Sequence, residues 1–287
     1  MADGQPSRAA RRRPPPRLNE RDRRLLAFAA EHRFLVNSHA RTLLGASAAS
    51  ASTRLRNLTQ GGWLTYERKL AGPGAYQITR GGLRAIGSSL PRPKEIDLAT
   101  YDHEVGMGWV WLAATRGVFG PLQGMASERF MRSEDRRRED PAERFGVRLG
   151  GVGPYGGERR HYPDLLLDTA SGQRVAVELE LTPKGRSRRN EILGGYALDG
   201  RIDAVLYLVE HERTGRAIER AARHAGIPSG VHVQLVRFGP GSGAIGAGRR
   251  PERTASARVR GTQDRRRAER AEHVERAGRP SGHEADR

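Results

Sequence analysis

The chain has 287 residues, a net charge of +18 and a pI of about 11.3. It has no cysteine, which excludes a disulfide framework and a thiolate metal site. No stretch approaches the roughly 18 consecutive apolar residues of a membrane span, so a soluble cytoplasmic protein with an anionic partner is expected.

All basic residues except Lys69, Lys94 and Lys184 are arginine, and they are unevenly spread. Residues 1–17 carry +4, residues 18–90 carry +7, residues 91–240 only +2, and residues 241–287 carry +5. Residues 1–17 read as a disordered basic arm, because Ala, Arg and Pro without an apolar stripe cannot offset the entropy of ordering. Arg11-Arg12-Arg13 runs into Pro14-Pro15-Pro16 instead of an apolar stretch, so no export signal is read.

Residues 18–90 read as three helices and a hairpin. Asn19 caps the first, with Asp22 at its third position and Leu25, Leu26, Phe28 and Ala29 on its apolar side. Phe34-Leu35-Val36 is a short apolar link. Asn37 or Ser38 caps a second helix that runs to Leu44 and breaks at Gly45. The third runs from Ser47 to Gln60 and stops at Gly61-Gly62. Ala48, Ala51, Leu55 and Leu58 form its core seam. Ser50, Thr53, Asn57 and Gln60, with Arg54 and Arg56, form the opposite face, as suits a helix entering a major groove. Trp63–Tyr66 and Ala75–Thr79 read as strands, with Arg68 and Lys69 at the turn between them, and Gly82–Ile86 as a short closing helix.

Residues 95–238 read as an α/β domain. The expected order is a helix from Glu95 to Thr115, a charged, Gly-rich loop over 133–160, then strands Tyr162–Leu167 and Arg174–Leu181. A helix Arg186–Leu198, a strand Ala204–Val209, a helix Thr214–His224 and a strand Val231–Val236 follow. In the second strand Val175, Val177, Leu179 and Leu181 face one way, and Ala176, Glu178 and Glu180 the other. Residues 239–287 read as a disordered Arg-rich tail, either simply solvated or clamped on nucleic acid.

Glu178 and Glu180 therefore share a face, and a neighbouring strand bearing Asp164 would bring three carboxylates together. Hard oxygen ligands in that arrangement suit Mg²⁺ or Mn²⁺ beside a scissile phosphate, with Lys184 at the strand's end to assist there. The alternative is a solvated edge-strand face. Arg186, Arg188 and Arg189 are either phosphate contacts or a solvated helix face. His103 reads as a hydrogen-bonded structural histidine, and Trp109 and Tyr196 as core.

The strings Leu55-Arg56-Asn57-Leu58, Gly62-Trp63-Leu64 and Tyr76-x-Ile78-Thr79-x-x-Gly82 resemble bacterial winged-helix DNA-binding domains. Pro163-Asp164 followed by Glu178-x-Glu180 resembles the PD-(D/E)xK nuclease superfamily, with Glu180 where that family usually has lysine and Lys184 as the displaced lysine. Glu128 matches an acidic residue contributed before the sheet. Together with Arg33-Phe34-Leu35, Asp102-His103-Glu104, Ser127-Glu128-Arg129 and Glu178-Leu179-Glu180-Leu181-Thr182, these motifs give the chain a resemblance to the replication-relaxation family of plasmids and integrated mobile elements.

The resemblance implies an α/β (α+β overall) protein: a winged helix over 18–90 and a PD-(D/E)xK-like mixed-sheet domain over 95–238. It implies double-stranded DNA as partner, with replication or transfer proteins and a homodimer as further partners, no membrane, and a nucleoid- or plasmid-associated location. Asp164, Glu178, Glu180 and Lys184 would form a catalytic site, the three carboxylates holding Mg²⁺ or Mn²⁺. Two other readings stay open: a non-enzymatic winged-helix regulator with a silent α/β domain for dimerisation or docking, and a nucleoid-type binder dominated by its tails.

Overall fold

The computed structural model describes residues 17–68, 73–153 and 156–237, all within one compact unit, Met1–Gly246. The expected arm (apart from Arg17), the Arg-rich tail and Lys69 lie outside the described residues.

Helix α1 (Glu20–Glu31) begins with a reciprocal cap: the Asp22 N–H donates to Asn19 Oδ1 and the Asn19 N–H to Asp22 Oδ2, each at 2.9 Å. The apolar link is a strand, β1 (Leu35–Val36). Helix α2 (Asn37–Leu44) starts one or two residues earlier than expected, with Val36 as its cap. Asn37 is inside the helix, where its side-chain amide donates to Ser52 Oγ at 2.8 Å. Gly45, at φ +59°, ends α2 in the left-handed region that glycine favours.

Helix α3 (Ala48–Gln60) is capped by Ser47, and Ala51, Leu55 and Leu58 are buried. Ala48 is exposed in the first turn, so the core seam starts at Ala51. Strands β2 (Leu64–Glu67) and β3 (Ala75–Ile78) complete a three-stranded antiparallel sheet in the order β1-β3-β2, closed by helix α4 (Arg80–Ala85).

Helix α5 is shorter than the expected Glu95–Thr115: it spans Tyr101–Thr115. Asp97 Oδ1 accepts the Ala99 N–H at 2.9 Å, a local turn that competes with helix, and Leu98 is half exposed. The apolar face of α5 joins the first core, where Trp109 and Leu112 pack with Leu25, Leu26, Leu55 and Leu58. A Cβ on Gly108 would lie 2.5 Å from the His39 ring, so glycine is what lets α2 and α5 approach.

Strand β4 (Leu122–Ser127) and helix α6 (Glu128–Asp135) follow. The expected loop over 133–160 is only partly loop. It contains the end of α6, a single 3-10 turn at Pro141–Glu143 and a hairpin of β5 (Val147–Val152) and β6 (Glu158–His161).

Strand β7 (Leu165–Thr169), strand β8 (Arg174–Glu180), helix α7 (Arg186–Leu198), strand β9 (Ala204–Val209), helix α8 (Glu212–His224) and strand β10 (Val231–Leu235) close the core. Pro163-Asp164 immediately precedes β7 rather than lying within it. The five-stranded sheet has the order β10-β9-β8-β7-β4; β4, β7 and β8 are antiparallel, while β8, β9 and β10 are parallel. Val177 and Leu179 pack with Val110 and Met107 of α5 on one face. Ala176 packs with Ile192 and Leu193 of α7 and Ile218 of α8 on the other. The architecture is mixed α+β.

Candidate functional site

The chain's connectivity assembles a polar cluster at the carboxyl end of β8. Strand β7 runs antiparallel to β8 with Leu165 opposite Val177, so Asp164 enters the sheet beside Glu178 and Leu179. Its Oδ2 accepts the Leu179 N–H at 2.8 Å. Lys184 lies in the turn that leaves β8 for α7. Because β8 is flanked on both sides, Glu178 and Glu180 are buried, at 0 % and 2 % exposure, and not on a solvated edge.

Each buried carboxylate is anchored by several donors. Glu178 Oε1 accepts from His161 Nε2 at 2.5 Å and from the Tyr196 hydroxyl at 2.6 Å; its Oε2 accepts from Lys184 Nζ at 3.2 Å. Burial alone would raise the Glu178 pKa, but His161, Lys184 and Tyr196 outweigh it and hold this carboxyl below its ordinary value. Glu180 Oε1 accepts the Lys184 N–H at 2.9 Å and Arg189 Nη2 at 3.1 Å. Glu180 Oε2 is buried and has no hydrogen-bond partner.

Burial would lower the Lys184 ammonium, yet the carboxylates of Glu178, Asp164 and Glu180 keep it above its ordinary value. The same balance governs His103 on α5. Burial opposes its charge, but Asp164, whose Oδ2 lies 3.2 Å from its Nε2, and then Glu104 carry its pKa up to about 9. Two histidine–carboxylate pairs, His103–Asp164 and His161–Glu178, thus flank one lysine.

Several side chains take other roles than their sequence context suggests. Arg189 is buried against Glu180 and does not face outward, whereas Arg186 and Arg188 are exposed. Tyr196 is core, as expected, but its hydroxyl also belongs to the cluster. His161 has no signal of its own in the sequence, because the hairpin that delivers it falls mostly in the segment read as loop; its place three residues before Asp164 is the one clue. Among the described residues, no three His, Asp or Glu side chains are grouped as a preformed metal cage.

On α3, Ser50, Thr53, Arg56, Asn57 and Gln60 are exposed together on the face away from the core. Arg54 is not free: both ends of its guanidinium bond the carboxylate of Asp22, which is 2 % exposed. Arg68 is exposed just beyond β2, and Tyr66 within it is half exposed. No protein-family model matches this sequence, and neither a curated protein nor a solved structure matches the chain.

Proposed function

We propose that this is a DNA-binding protein of the replication-relaxation type, acting in plasmid or mobile-element replication or transfer. In this reading residues 18–90 are a winged helix that holds duplex DNA beside a PD-(D/E)xK-like nuclease domain. The observation that carries the reading is that Asp164, Glu178, Glu180 and Lys184 all lie at one end of β8, with Lys184 bonded to both glutamates, within the same unit as the polar face of α3. The succession of α1, β1, α2, α3 and a hairpin supports the winged helix. The succession of α5, an antiparallel β4-β7-β8 meander, α7 and a parallel β9 supports the nuclease-like core.

Duplex DNA would lie against Ser50, Thr53, Arg56, Asn57 and Gln60, with Arg68, just beyond β2, and the following Lys69 on the phosphates. Arg54 contributes by holding α3 to α1 through Asp22.

Lys184 would neutralise charge developing on a phosphate oxygen as water adds at phosphorus and the bridging P–O bond breaks. Glu178 orients Lys184 and His161. The unpartnered Glu180 Oε2 fits a divalent cation, Mg²⁺ or Mn²⁺, and Asp164 and Glu180 are the side chains that would hold it, with Glu178 beside them. Such an ion supplies Lewis-acid activation of water.

A second reading has its own support. Both oxygens of Glu178 are already engaged by three donors, as in a polar core that serves structure alone, which favours a non-enzymatic winged-helix regulator. Plasmid nicking with Mg²⁺ and with Mn²⁺ separates the two. Product from the wild type that is lost in Lys184→Met and in Glu180→Gln supports the nuclease. Product no greater than in those variants leaves the regulator. Gel shifts with duplex DNA, wild type against Arg56→Ala, test the binding face: unchanged affinity overturns it.

A further inference from the structure

Arg33, in the link between α1 and β1, is the one non-glycine residue with positive φ (+58°) among the described residues. A long side chain in that region is strained and persists only where its surroundings fix it. Both sides of the molecule do so. Arg33 Nε lies 3.1 Å from Glu104 Oε1 and Nη2 lies 3.2 Å from Glu128 Oε2. The Arg33 carbonyl accepts from Gln77 Nε2 at 3.3 Å, and the same amide reaches the Lys94 carbonyl at 2.8 Å. Gln77 is on β3, the middle strand of the N-terminal sheet.

Each carboxylate that holds Arg33 is one link from Asp164, by a different route. Glu104 follows His103, whose ring bonds the Asp164 carboxylate. The Glu128 backbone N–H donates to the Asp164 carbonyl at 3.3 Å. The neighbouring Ser127 hydroxyl bonds Glu31, and Arg129 Nε donates to the Ala30 carbonyl at 2.9 Å, so the same edge grips the end of α1. The segments Arg33-Phe34-Leu35, Asp102-His103-Glu104, Ser127-Glu128-Arg129 and Pro163-Asp164 thus meet along one continuous joint.

We propose that Arg33 is a positioning residue, coupling occupancy of the N-terminal module by duplex DNA to the setting of Asp164. This rests on the DNA-holding reading above. A duplex pressed against the β2–β3 hairpin loads Gln77; Gln77 holds the Arg33 backbone; the guanidinium transmits the load to Glu104 and Glu128. The Leu179 N–H, bonded to Asp164, reports the far end. A plain surface ion pair would make no such connection, being worth little by itself and screened by salt.

The experiment uses the full chain and needs no cleavage. Arg33→Gly removes the guanidinium, while glycine adopts φ +58° freely. Arg33→Lys keeps charge without the two-armed fork. Amide hydrogen exchange at Leu179 is measured with and without sheared duplex DNA at low salt, beside duplex affinity. Duplex should slow exchange at Leu179 about tenfold in the wild type. In Arg33→Gly the affinity should stay within about threefold while that response disappears, and Arg33→Lys should restore only part of it. A response that survives in Arg33→Gly overturns the coupling, as does a wild type that binds duplex without any response. A wild type that binds no duplex overturns the DNA-holding reading itself, and the coupling with it. Should Arg33→Gly fail to fold by circular dichroism, the Glu104→Gln/Glu128→Gln double variant, which keeps side-chain shape and removes both charges, gives the same decision.

Discussion

His161 Nε2 lies 2.5 Å from Glu178 Oε1, so a hairpin from outside the sheet reaches in to hold its most buried carboxylate. Removing that carboxylate strands three donors at once: His161, Tyr196 and Lys184. Glu178→Ala should therefore cost about 3–5 kcal/mol, the range for breaking a buried ion pair from one side. Glu178→Gln, which keeps the volume, should cost less. Urea unfolding monitored by circular dichroism decides it, and a loss below about 1 kcal/mol would mean that the stranded donors find other partners. Lys184→Met leaves the buried Glu178 Oε2 without its donor and should cost about 1–3 kcal/mol, less than Glu178→Ala because the lysine itself is about a third exposed and strands no donor of its own.

The His103–Asp164 pair predicts a stability change on the alkaline side. The imidazolium is favoured in the fold, its pKa rising from 6.5 to about 9. A raised basic group stabilises fully below its unfolded value and loses that contribution as pH climbs through the folded one. Urea midpoints should therefore fall between about pH 6.5 and about pH 9, and the fall should be shallower in His103→Gln. Identical slopes in the two proteins would refute the pairing.

Acid should act through two other histidines. Burial, then repulsion from the His39 ring should it also protonate and from the Arg129 cation, bring His32 to about 3; burial, only partly opposed by the Val105 carbonyl, brings His39 to about 3 as well. Both are neutral in the fold and take up protons on unfolding below about 6.5. Their contribution is present above that value and is lost as pH falls toward about 3, at roughly 1.4 kcal/mol per pH unit for each ring. His32 also has a buried Nε2 with no partner and packs edge-on to Trp111, with ring centroids 4.8 Å apart. His32→Phe should be neutral or stabilising at pH 7 and should remove one ring's share of the acid slope. Calorimetry across pH 4–7 measures both.

Arg54 and Arg56 are two residues apart and should behave oppositely. Arg54→Ala leaves the buried Asp22 carboxylate without its cation and should cost about 1–3 kcal/mol of stability. Arg56→Ala, on the exposed face, should change stability by no more than about 0.5 kcal/mol while lowering the salt slope of duplex binding by about one. Thermal melts and gel shifts on both variants check the pair, and an Arg54→Ala protein as stable as the wild type would overturn the structural role.

The legible parts of the sequence are those where one face is buried and the other is not. The alternation of β8, the apolar run of β9, and α7 and α8 between glycine signals are found within a residue or two of where they were expected. Local turn chemistry at Asp97 delays the start of α5 to Tyr101. The β5–β6 hairpin escapes because its apolar signal is short: Val147 is buried and Leu149 packs beside it against α7, but glycines and charged residues follow at once, and Gly195 of α7 lets the Arg148 carbonyl approach closely. The burial of Glu178 and Glu180 depends on strand order, which no local pattern encodes, and so does the capture of His161. Arg54 looks like one more groove-facing arginine until Asp22 is seen beside it.

The antiparallel turn at 170–173 joins β7 to β8 at the end of the sheet remote from Asp164, since Asp168 pairs with Arg174 there while Leu165 pairs with Val177 at the other end. Strand β8 thus has one end that gathers the polar cluster and one that only reverses the chain. New termini opened within that turn, or a reporter domain spliced into it, would leave every polar partner of Glu178, Glu180 and Lys184 in place, making it the natural point for circular permutation.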